Sequence, residues 1–486
     1  MKVSHFRALL EELHDISSWK TTEKRVREEI TNTSDWKPLV SLLAGQEFDN
    51  NGIAPTSACK GLHAAFPNQY SVDELEALHK ESGTVTDALL SIEDELPEPE
   101  NPDADLRDVY SALQRVASKS GDDAITALGQ AFRMYDPVVV SYGALDDYSI
   151  GVKESTVKNA VGRPEFEKDE LDRVRGLVHS AVEFVERWMN QTLPDTPTPG
   201  VPFKPMAAKS KDVPETDEWV GQFKIDGYRL LIHVSDGEVS AFTRNLNDET
   251  HSIPELDEIS WPDGEYIFDC EAIAYDGGEP LGFKATSKRI GRKHNILTDD
   301  TQIHFKMFDI LYANGDLSRL PFEERFDSLE EFAPSDHPYV DVIPLYTDIS
   351  ACLDQAESED YEGIIAKDKT APYRFGKRSN DWRKVKVTEE TIDLRIAGFE
   401  REYSADGETL GAIELETQDG VPVGRLGTGF SDAQKDEIWE NQDKYYETVI
   451  EVQFEGFDEK LRFPSFQAFR PDGEADSLER IQNIIG

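Results

Sequence analysis

Five prolines fall within the thirteen residues 193–205, LPDTPTPGVPFKP. Proline lacks an amide hydrogen and fixes φ, so neither a helix nor a central strand can run through this stretch, and it acts as a stiff connection between separately folding parts. Hydrophobic spacing changes across it. On its N-terminal side Leu171, Val174, Val178, Val182 and Val185 recur at three- and four-residue intervals, the spacing of one buried helical stripe. Ser71 with Glu74 has the form of a capping box ahead of Leu75 and Leu78, and ELPEPENPDADL reads as a loop before the next helix. An all-α region is expected over residues 1–195. On the C-terminal side come short strands with turn signals such as SDGE and ANGD: EWVGQFKID, YRLLIHV, VSAFTRN, YIFDCEAIAY, IHFKMFDILY, EGIIAKD and RKVKV. They predict a mixed α/β domain over 196–389. Over 390–486, LRIAGFE, GAIELET, VGRLGTGF and TVIEVQFEGF predict a small all-β barrel of five strands.

Acidic side chains outnumber basic ones 97 to 51, a net charge of −46 spread along the chain. Such a surface suits a salt-filled cytoplasm: at about 1 M salt the Debye length is about 3 Å and self-repulsion becomes short-ranged. The alternative from composition alone is an acidic scaffold at low salt. No apolar run approaches the ~18 residues of a membrane span, and MKVSHFRALLEELHD lacks a secretory h-region, so a cytoplasmic protein without a membrane partner is expected. Cys59, Cys270 and Cys352 are isolated and odd in number, against both a disulfide framework and a zinc site of cysteines alone.

Lys224, Asp226, Gly227 and Arg229 form Lys-Ile-Asp-Gly-Tyr-Arg between two predicted strands, and strand alternation puts Lys224 and Asp226 on one face. Alone, the motif would pass for a surface hairpin with a salt pair. A lysine becomes a nucleophile when neighbouring cations or desolvation favour its neutral form, however, and the cations follow downstream. Residues 373–386 hold Arg374, Lys377, Arg378, Arg383, Lys384 and Lys386 against one acid, Asp381, with Lys384 and Lys386 on one strand face. A second cluster, Lys284, Lys288, Arg289, Arg292 and Lys293, contains no acid and reads either as a phosphate contact or as a solvated helix face. Glu271 in FDCEAIAY and Glu362 in YEGIIAKD offer oxygen ligands for magnesium beside phosphates. Phe308 is by default core, although an aromatic face also stacks on a base.

In chain order, Lys-x-Asp-Gly-x-Arg, Thr-Arg-Asn, Phe-Asp-Cys-Glu, Phe-Asp-Ile-Leu-Tyr, Glu-Gly-Ile-Ile-Ala-Lys and Trp-Arg-Lys-Val-Lys resemble the successive motifs of the covalent nucleotidyltransferases. PGVPFKPMAAK, ASKSGDDAITALGQAF and LDDYSIGVKESTVKNAV are similar to segments of the DNA-binding module of archaeal and phage ATP-dependent DNA ligases. The resemblance implies a multidomain chain: an all-α DNA-binding domain (1–195), an α/β nucleotidyltransferase (adenylation) domain (196–389) and an all-β OB-fold domain (390–486). It implies ATP and Mg2+ or Mn2+ as cofactors, and nicked double-stranded DNA as partner in replication, repair and recombination. A monomer is expected, and a sliding-clamp partner stays open.

By the same resemblance Lys224 would carry AMP, with Asp226, Arg229, Lys384 and Lys386 in the catalytic set. Gln222 would read the adenine edge and Phe308 stack on its face. Arg229, Arg244, Arg378, Lys384 and Lys386 would hold AMP or nick phosphates, Glu271 the ribose or metal, and Glu362 the metal. Lys153, Lys288, Arg289, Arg292 and Lys377 are the expected DNA contacts. Strict alternation puts Lys367 on the face opposite Glu362. The barrel motif Arg-x-Asp-Lys that closes over ATP survives as Arg470 and Asp472, with Gly473 in place of the lysine, whose role is then dispensable or supplied by a neighbour such as Lys460. Arg-Ile-Gly-Val of the helical module becomes Ser149-Ile150-Gly151-Val152. An RNA ligase or mRNA-capping guanylyltransferase would share the lysine motif but not the helical module. A non-catalytic nucleic-acid-binding scaffold would need the basic clusters without Lys224, Glu271 and Glu362 together.

Overall fold

Apolar stripes at helical spacing can only be buried against one another, and among the described residues twelve α-helices between Val3 and Met189 do so. The computed structural model describes residues 1–45, 53–147, 150–214, 216–291, 301–359, 361–386, 390–404, 407–454, 456–471 and 473–485. They divide into two compact units, Met1–Ile349 with Ile365–Lys384, and Ser350–Ile364 with Val385–Gly486. In the first unit the helices share a core that includes Phe6, Leu43, Phe132, Val161 and Phe184. The Ser71 cap forms as its spacing predicts: Ser71 Oγ accepts from the Glu74 amide at 3.3 Å and Glu74 Oε2 from the Ser71 amide at 2.8 Å. The stripe from Leu171 to Val185 is buried throughout but lies on two helices, Lys168–Leu177 and Ala181–Met189. Ser180, extended in its backbone, accepts from the Glu183 amide and starts the second helix, so a strong N-cap overrides the continuous spacing.

The strands that follow are β1 (Ala207–Ser210), β2 (Trp219–Phe223), β3 (Tyr228–Ser235), β4 (Glu238–Thr243), β5 (Tyr266–Asp276), β6 (Glu279–Pro280), β7 (Gln302–Ala313), β8 (Val340–Val342), β9 (Gly363–Asp368) and β10 (Arg378–Lys386). They make two sheets, ordered β1-β10-β9-β2 and β4-β3-β5-β7-β8, with β6 beside β5. One face of the larger sheet buries Leu230, Ile232, Phe268 and Phe305 beneath the helices Phe283–Ile290 and Phe322–Phe332. Its other face sends Leu231, Ile267 and Leu311 against Ala208, Ile365 and Trp382 of the smaller sheet. Each such side chain, fully buried, contributes about 1.5–3 kcal/mol.

His233 of β3 ties the proline-rich connection to the sheet. Its ring packs between Phe203 and Phe242, with centroids 5.7 and 4.9 Å away, and Nδ1 accepts from the Gly200 amide at 3.0 Å. Burial pulls its pKa down to about 3. An unfolded histidine titrates near 6.5, so between these values the unfolded chain binds the proton and the folded one does not. This contribution is therefore complete above about pH 6.5 and is lost as pH falls toward 3. His233→Asn keeps an acceptor without titrating, and should flatten the stability of the protein between about pH 4 and 6.5 in melts across a pH series. Equal slopes for variant and wild type would assign the acid sensitivity to other groups.

In the second unit β11 (Glu390–Ser404), β12 (Gly407–Glu416), β13 (Pro422–Leu426), β14 (Val449–Phe454) and β17 (Ser465–Phe469) form one antiparallel sheet ordered β13-β12-β11-β14-β17, and β15 (Gly456–Asp458) pairs with β16 (Lys460–Arg462). Ile392, Leu394, Ile413, Val423, Ile450 and Val452 fill its core. The chain leaving β13 returns onto the opposite edge strand, where the Phe466 amide donates to the Thr428 carbonyl at 3.0 Å. Gly429 permits this closure: its φ is +93°, and a Cβ there would lie 2.6 Å from the Phe466 nitrogen. Among the described residues no helix is long and apolar enough to cross a membrane.

Candidate active site

β2 ends at Phe223, and residues 224–227 form its connection to β3. Lys224 and Asp226 thus lie on a turn, not on the common strand face that alternation predicts. Gly227 explains the turn's position. A Cβ at Gly227 would lie 2.5 Å from the Ala272 carbonyl oxygen and 2.8 Å from Glu271 Cγ, so only glycine lets the turn lie directly on β5. Lys224 is half-buried there and Asp226 exposed. Glu271 stands beneath them: burial pushes its carboxyl up to about 8, against the lowering pull of Arg229 and Lys224 and with the repulsion of Asp269 and Asp226.

Arg229, opposite Glu271 in the β3–β5 register, turns its guanidinium onto Asp269, with Nε–Oδ1 at 2.9 Å and Nη2–Oδ2 at 2.6 Å. Asp269 is fully buried and also accepts from the Tyr373 hydroxyl at 2.7 Å. Burial works to lower the Arg229 pKa, and Asp269, Tyr373 and Glu271 together more than offset it, so the guanidinium stays charged. Its carbon lies 5.2 Å from the Phe308 ring and 5.6 Å from the Trp382 ring. Lys367, 1% exposed, donates to the Phe308 carbonyl at 2.9 Å, and its ammonium is 4.7, 4.5 and 4.3 Å from the rings of Phe308, Phe322 and Trp382. Burial pulls Lys367 down to about 7, although Asp309 and Asp269 act the other way. Deeper still, Arg325 and Asp309, both 0% exposed, form a bidentate pair at 2.9 and 2.8 Å. Phe308 is therefore held at its backbone by Lys367 and on its ring by two cations.

Gln222, on β2 two residues before Lys224, is buried. Its amide nitrogen donates to the Ile343 carbonyl at 2.9 Å, while its Oε1 is buried without a hydrogen-bond partner among the described residues. An unsatisfied buried acceptor costs about 1–3 kcal/mol unless a ligand donor meets it. An exocyclic amine is such a donor, and the half-buried Phe308 is a flat apolar surface of the kind on which a base stacks. For a divalent cation, no group of three or more His, Cys, Asp or Glu converges among the described residues. Magnesium is commonly held by one or two carboxylates together with water and substrate phosphates, so Glu271 fits as an oxygen donor of that kind and an all-protein cage is absent among the described residues.

Residues 204–386 match the family described as the ATP dependent DNA ligase domain, and residues 407–470 match the DNA ligase OB-like domain. The DNA ligase of Natronomonas pharaonis is 30% identical over 435 residues, which cover 77% of each chain. The chain belongs to the ATP-dependent DNA ligases. The DNA ligase of Haloarcula marismortui is 32% identical over 324 residues, but the match spans only 58% of that protein and 59% of this one. The solved structure named Pmar-Lig_PreS3 has a TM-score of 0.63 at 16% identity, covering 95% of this chain and 98% of that one, a likeness of fold.

Along this chain the helical region, the ATP dependent DNA ligase domain and the β-rich OB-like domain follow one another in the order the sequence predicts. Arg244 is exposed just after β4, Arg378 is exposed at the start of β10, and Lys384 is half-buried on the same strand. Glu362 and Lys386 fall in the second unit. Arg470, also there, pairs with Glu451 at 2.9 Å. Asp472, Arg292 and Ser149 lie outside the described residues.

Lys153 and Lys288 are exposed, and Lys377 is half-buried in an ion pair with Asp172 at 2.8 Å. Arg289 requires a correction. It is 3% exposed and bonded to Glu255 at 3.0 Å and to the Ser252 carbonyl at 2.8 Å, so it staples the helix Phe283–Ile290 to the domain and offers nothing to DNA. Four site-building residues were not singled out from the sequence in these roles: Asp269, Asp309, Lys367 and Tyr373. A signal existed for two of them, because Asp269 stands between Tyr266-Ile267-Phe268 and Cys270, and Asp309 between Met307-Phe308 and Ile310-Leu311, each a carboxylate among apolar neighbours.

Proposed function

We propose that this protein seals nicks in duplex DNA, using ATP, through a lysyl-AMP and a DNA-adenylate intermediate. The observation that carries the reading is the Lys224 turn, seated by Gly227 against Ala272 and Glu271, where both Lys224 and Arg229 act on the Glu271 carboxyl. The attacking form of a lysine is the neutral amine. Lys224 Nζ forms a bond to the α-phosphorus of ATP as the bond to pyrophosphate breaks, leaving AMP on the nitrogen. The 5′-phosphate oxygen of the nick then takes the AMP phosphorus and releases Lys224. Attack of the 3′-hydroxyl on the 5′-phosphorus expels AMP and closes the strand. Gln222 Oε1 supplies the acceptor for the adenine amine, and Phe308 the stacking face. Arg229, Arg244, Arg378, Lys384 and Lys386 hold phosphate oxygens and stabilise charge developing on them. Mg2+ held by Glu271 would neutralise phosphate charge; Glu362, the other carboxylate that the family resemblance assigns to the metal, belongs to the second unit.

The helical region is the DNA-binding module in this reading, with Lys153 as its contact and Lys288 and Lys377 contributing from the adenylation domain, and OB-domain closure would use Arg470 and Asp472. The −46 charge and the haloarchaeal relatives support work in a salt-rich cytoplasm. A sealing assay with singly nicked DNA or RNA duplexes, each with ATP or GTP, tests the reading. Joining of DNA with ATP is expected. Joining of RNA alone, or a requirement for GTP, would replace it with the RNA ligase or guanylyltransferase reading.

Phe308→Ala should raise the apparent KM for ATP by the worth of base stacking, about 1–3 kcal/mol, with a smaller effect on kcat. An unchanged KM with a lowered melting temperature would make Phe308 a core residue only.

A further inference from the structure

A cleft of about 590 Å3 opens within the first unit between the helix Lys168–Leu177 and residues 372–380. In a chain with almost two acids for every base, its lining reverses the balance, seven cations to three carboxylates. Four of the cations are already spent internally. Arg173 pairs with Asp316 at 2.6 Å, Lys377 with Asp172 at 2.8 Å, Arg319 with Glu170 at 3.3 Å, and Arg374 with Asp381. The other three, Lys168, Lys209 and Arg378, have no side-chain hydrogen bond or ion pair among the described residues. Convergent cations without counter-ions repel one another, an arrangement that a polyanion relieves.

The walls come from different parts of the unit, Lys168 from the helical region and Lys209 and Arg378 from strands β1 and β10. Tyr373 lines the cleft while its hydroxyl holds Asp269, the partner of Arg229, so the cleft backs onto the Lys224 motif. We infer that this cleft seats the sugar-phosphate backbone of the nicked duplex, with Lys168 and Lys209 each contacting a phosphate from opposite walls. The inference rests on the DNA-ligase reading and adds to it two binding residues and the face that the strand crosses.

The test uses the full chain with Lys168→Gln and Lys209→Gln combined. Two measurements are made, AMP labelling from ATP without DNA, and Kd for nicked duplex across a KCl series. AMP labelling should match wild type. The slope of log Kd against log salt should fall by about 2, near 0.9 for each phosphate contact, with weaker binding at every low-salt point. The Arg pair, Lys168→Arg with Lys209→Arg, should restore the slope. Normal labelling with unchanged slope and Kd would overturn the cleft assignment. Absence of AMP labelling in wild type would instead overturn the ligase reading. If the double variant loses labelling, the single variants decide, each expected to lower the slope by about 1. Singles that label normally and keep the wild-type slope would overturn the assignment in the same way.

Discussion

Lys224→Ala is expected to form no covalent AMP adduct and to leave an ordinary nick unsealed, while a nick already carrying 5′-AMP is still closed. The distinction follows from the chemistry. Only the first two steps pass AMP through the lysine nitrogen, whereas the last joins a 3′-hydroxyl to an activated 5′-phosphate that holds its own leaving group. Splitting one displacement into successive ones is the gain of covalent catalysis, so removal of the nucleophile should eliminate adenylation rather than slow it by a small factor. Labelling with ATP radioactive at the α-phosphate and sealing of pre-adenylated DNA measure the two arms separately. Residual labelling in the variant would move the nucleophile elsewhere. Loss of both arms with an altered circular dichroism spectrum would point to the turn's structural role on β5.

The second large effect concerns stability. Asp309→Ala removes the partner of Arg325 in a pair where both side chains are 0% exposed. A buried charge left uncompensated costs about 3–5 kcal/mol, while replacement of a whole buried pair by apolar groups of similar volume is often neutral or stabilising. Arg325 also donates to the Leu320 and Ala371 carbonyls, at 2.8 and 3.1 Å, so those acceptors limit how well it can relax. Denaturant unfolding should therefore show a large loss for Asp309→Ala and most of it recovered in Asp309→Leu combined with Arg325→Met. A single-variant loss below about 1 kcal/mol would mean that water reaches the guanidinium and that the pair is not desolvated.

Much of this architecture was legible in the sequence because its signals are local. The Ser71 cap, the proline-rich connection and the alternating strands each depend on residues a few positions apart. Lys224, Glu271 and Phe308, which the motif order singles out, lie on the connection after β2 and on β5 and β7. What escaped depends on packing. Alternation places Lys224 and Asp226 on a strand face because nothing in the sequence reports that β2 ends at Phe223 or that Gly227 must touch Ala272. Alternation alone says only that Lys367 faces away from Glu362, and lysine is so rarely interior that its place between Phe308, Phe322 and Trp382 is visible only once three separated strands and a helix converge. Arg289 failed in the opposite sense. A run of cations looks uniform in sequence, and the fold turns one of them inward to Glu255 while Lys288 beside it stays exposed.

The central claim is that Lys224 relays AMP from ATP to a DNA end, and a pulse and chase on one sample tests it most directly. The protein is labelled with ATP radioactive at the α-phosphate, freed of nucleotide, and mixed with a nicked duplex, and the label is followed by peptide mapping before the chase and by gel after it. The account predicts label on the peptide containing Lys224, acid-labile as a phosphoramide should be, then its passage to the 5′ end of the nick and its release as AMP when the strand closes. Label on a different residue, or label on Lys224 that never leaves for DNA, would contradict it.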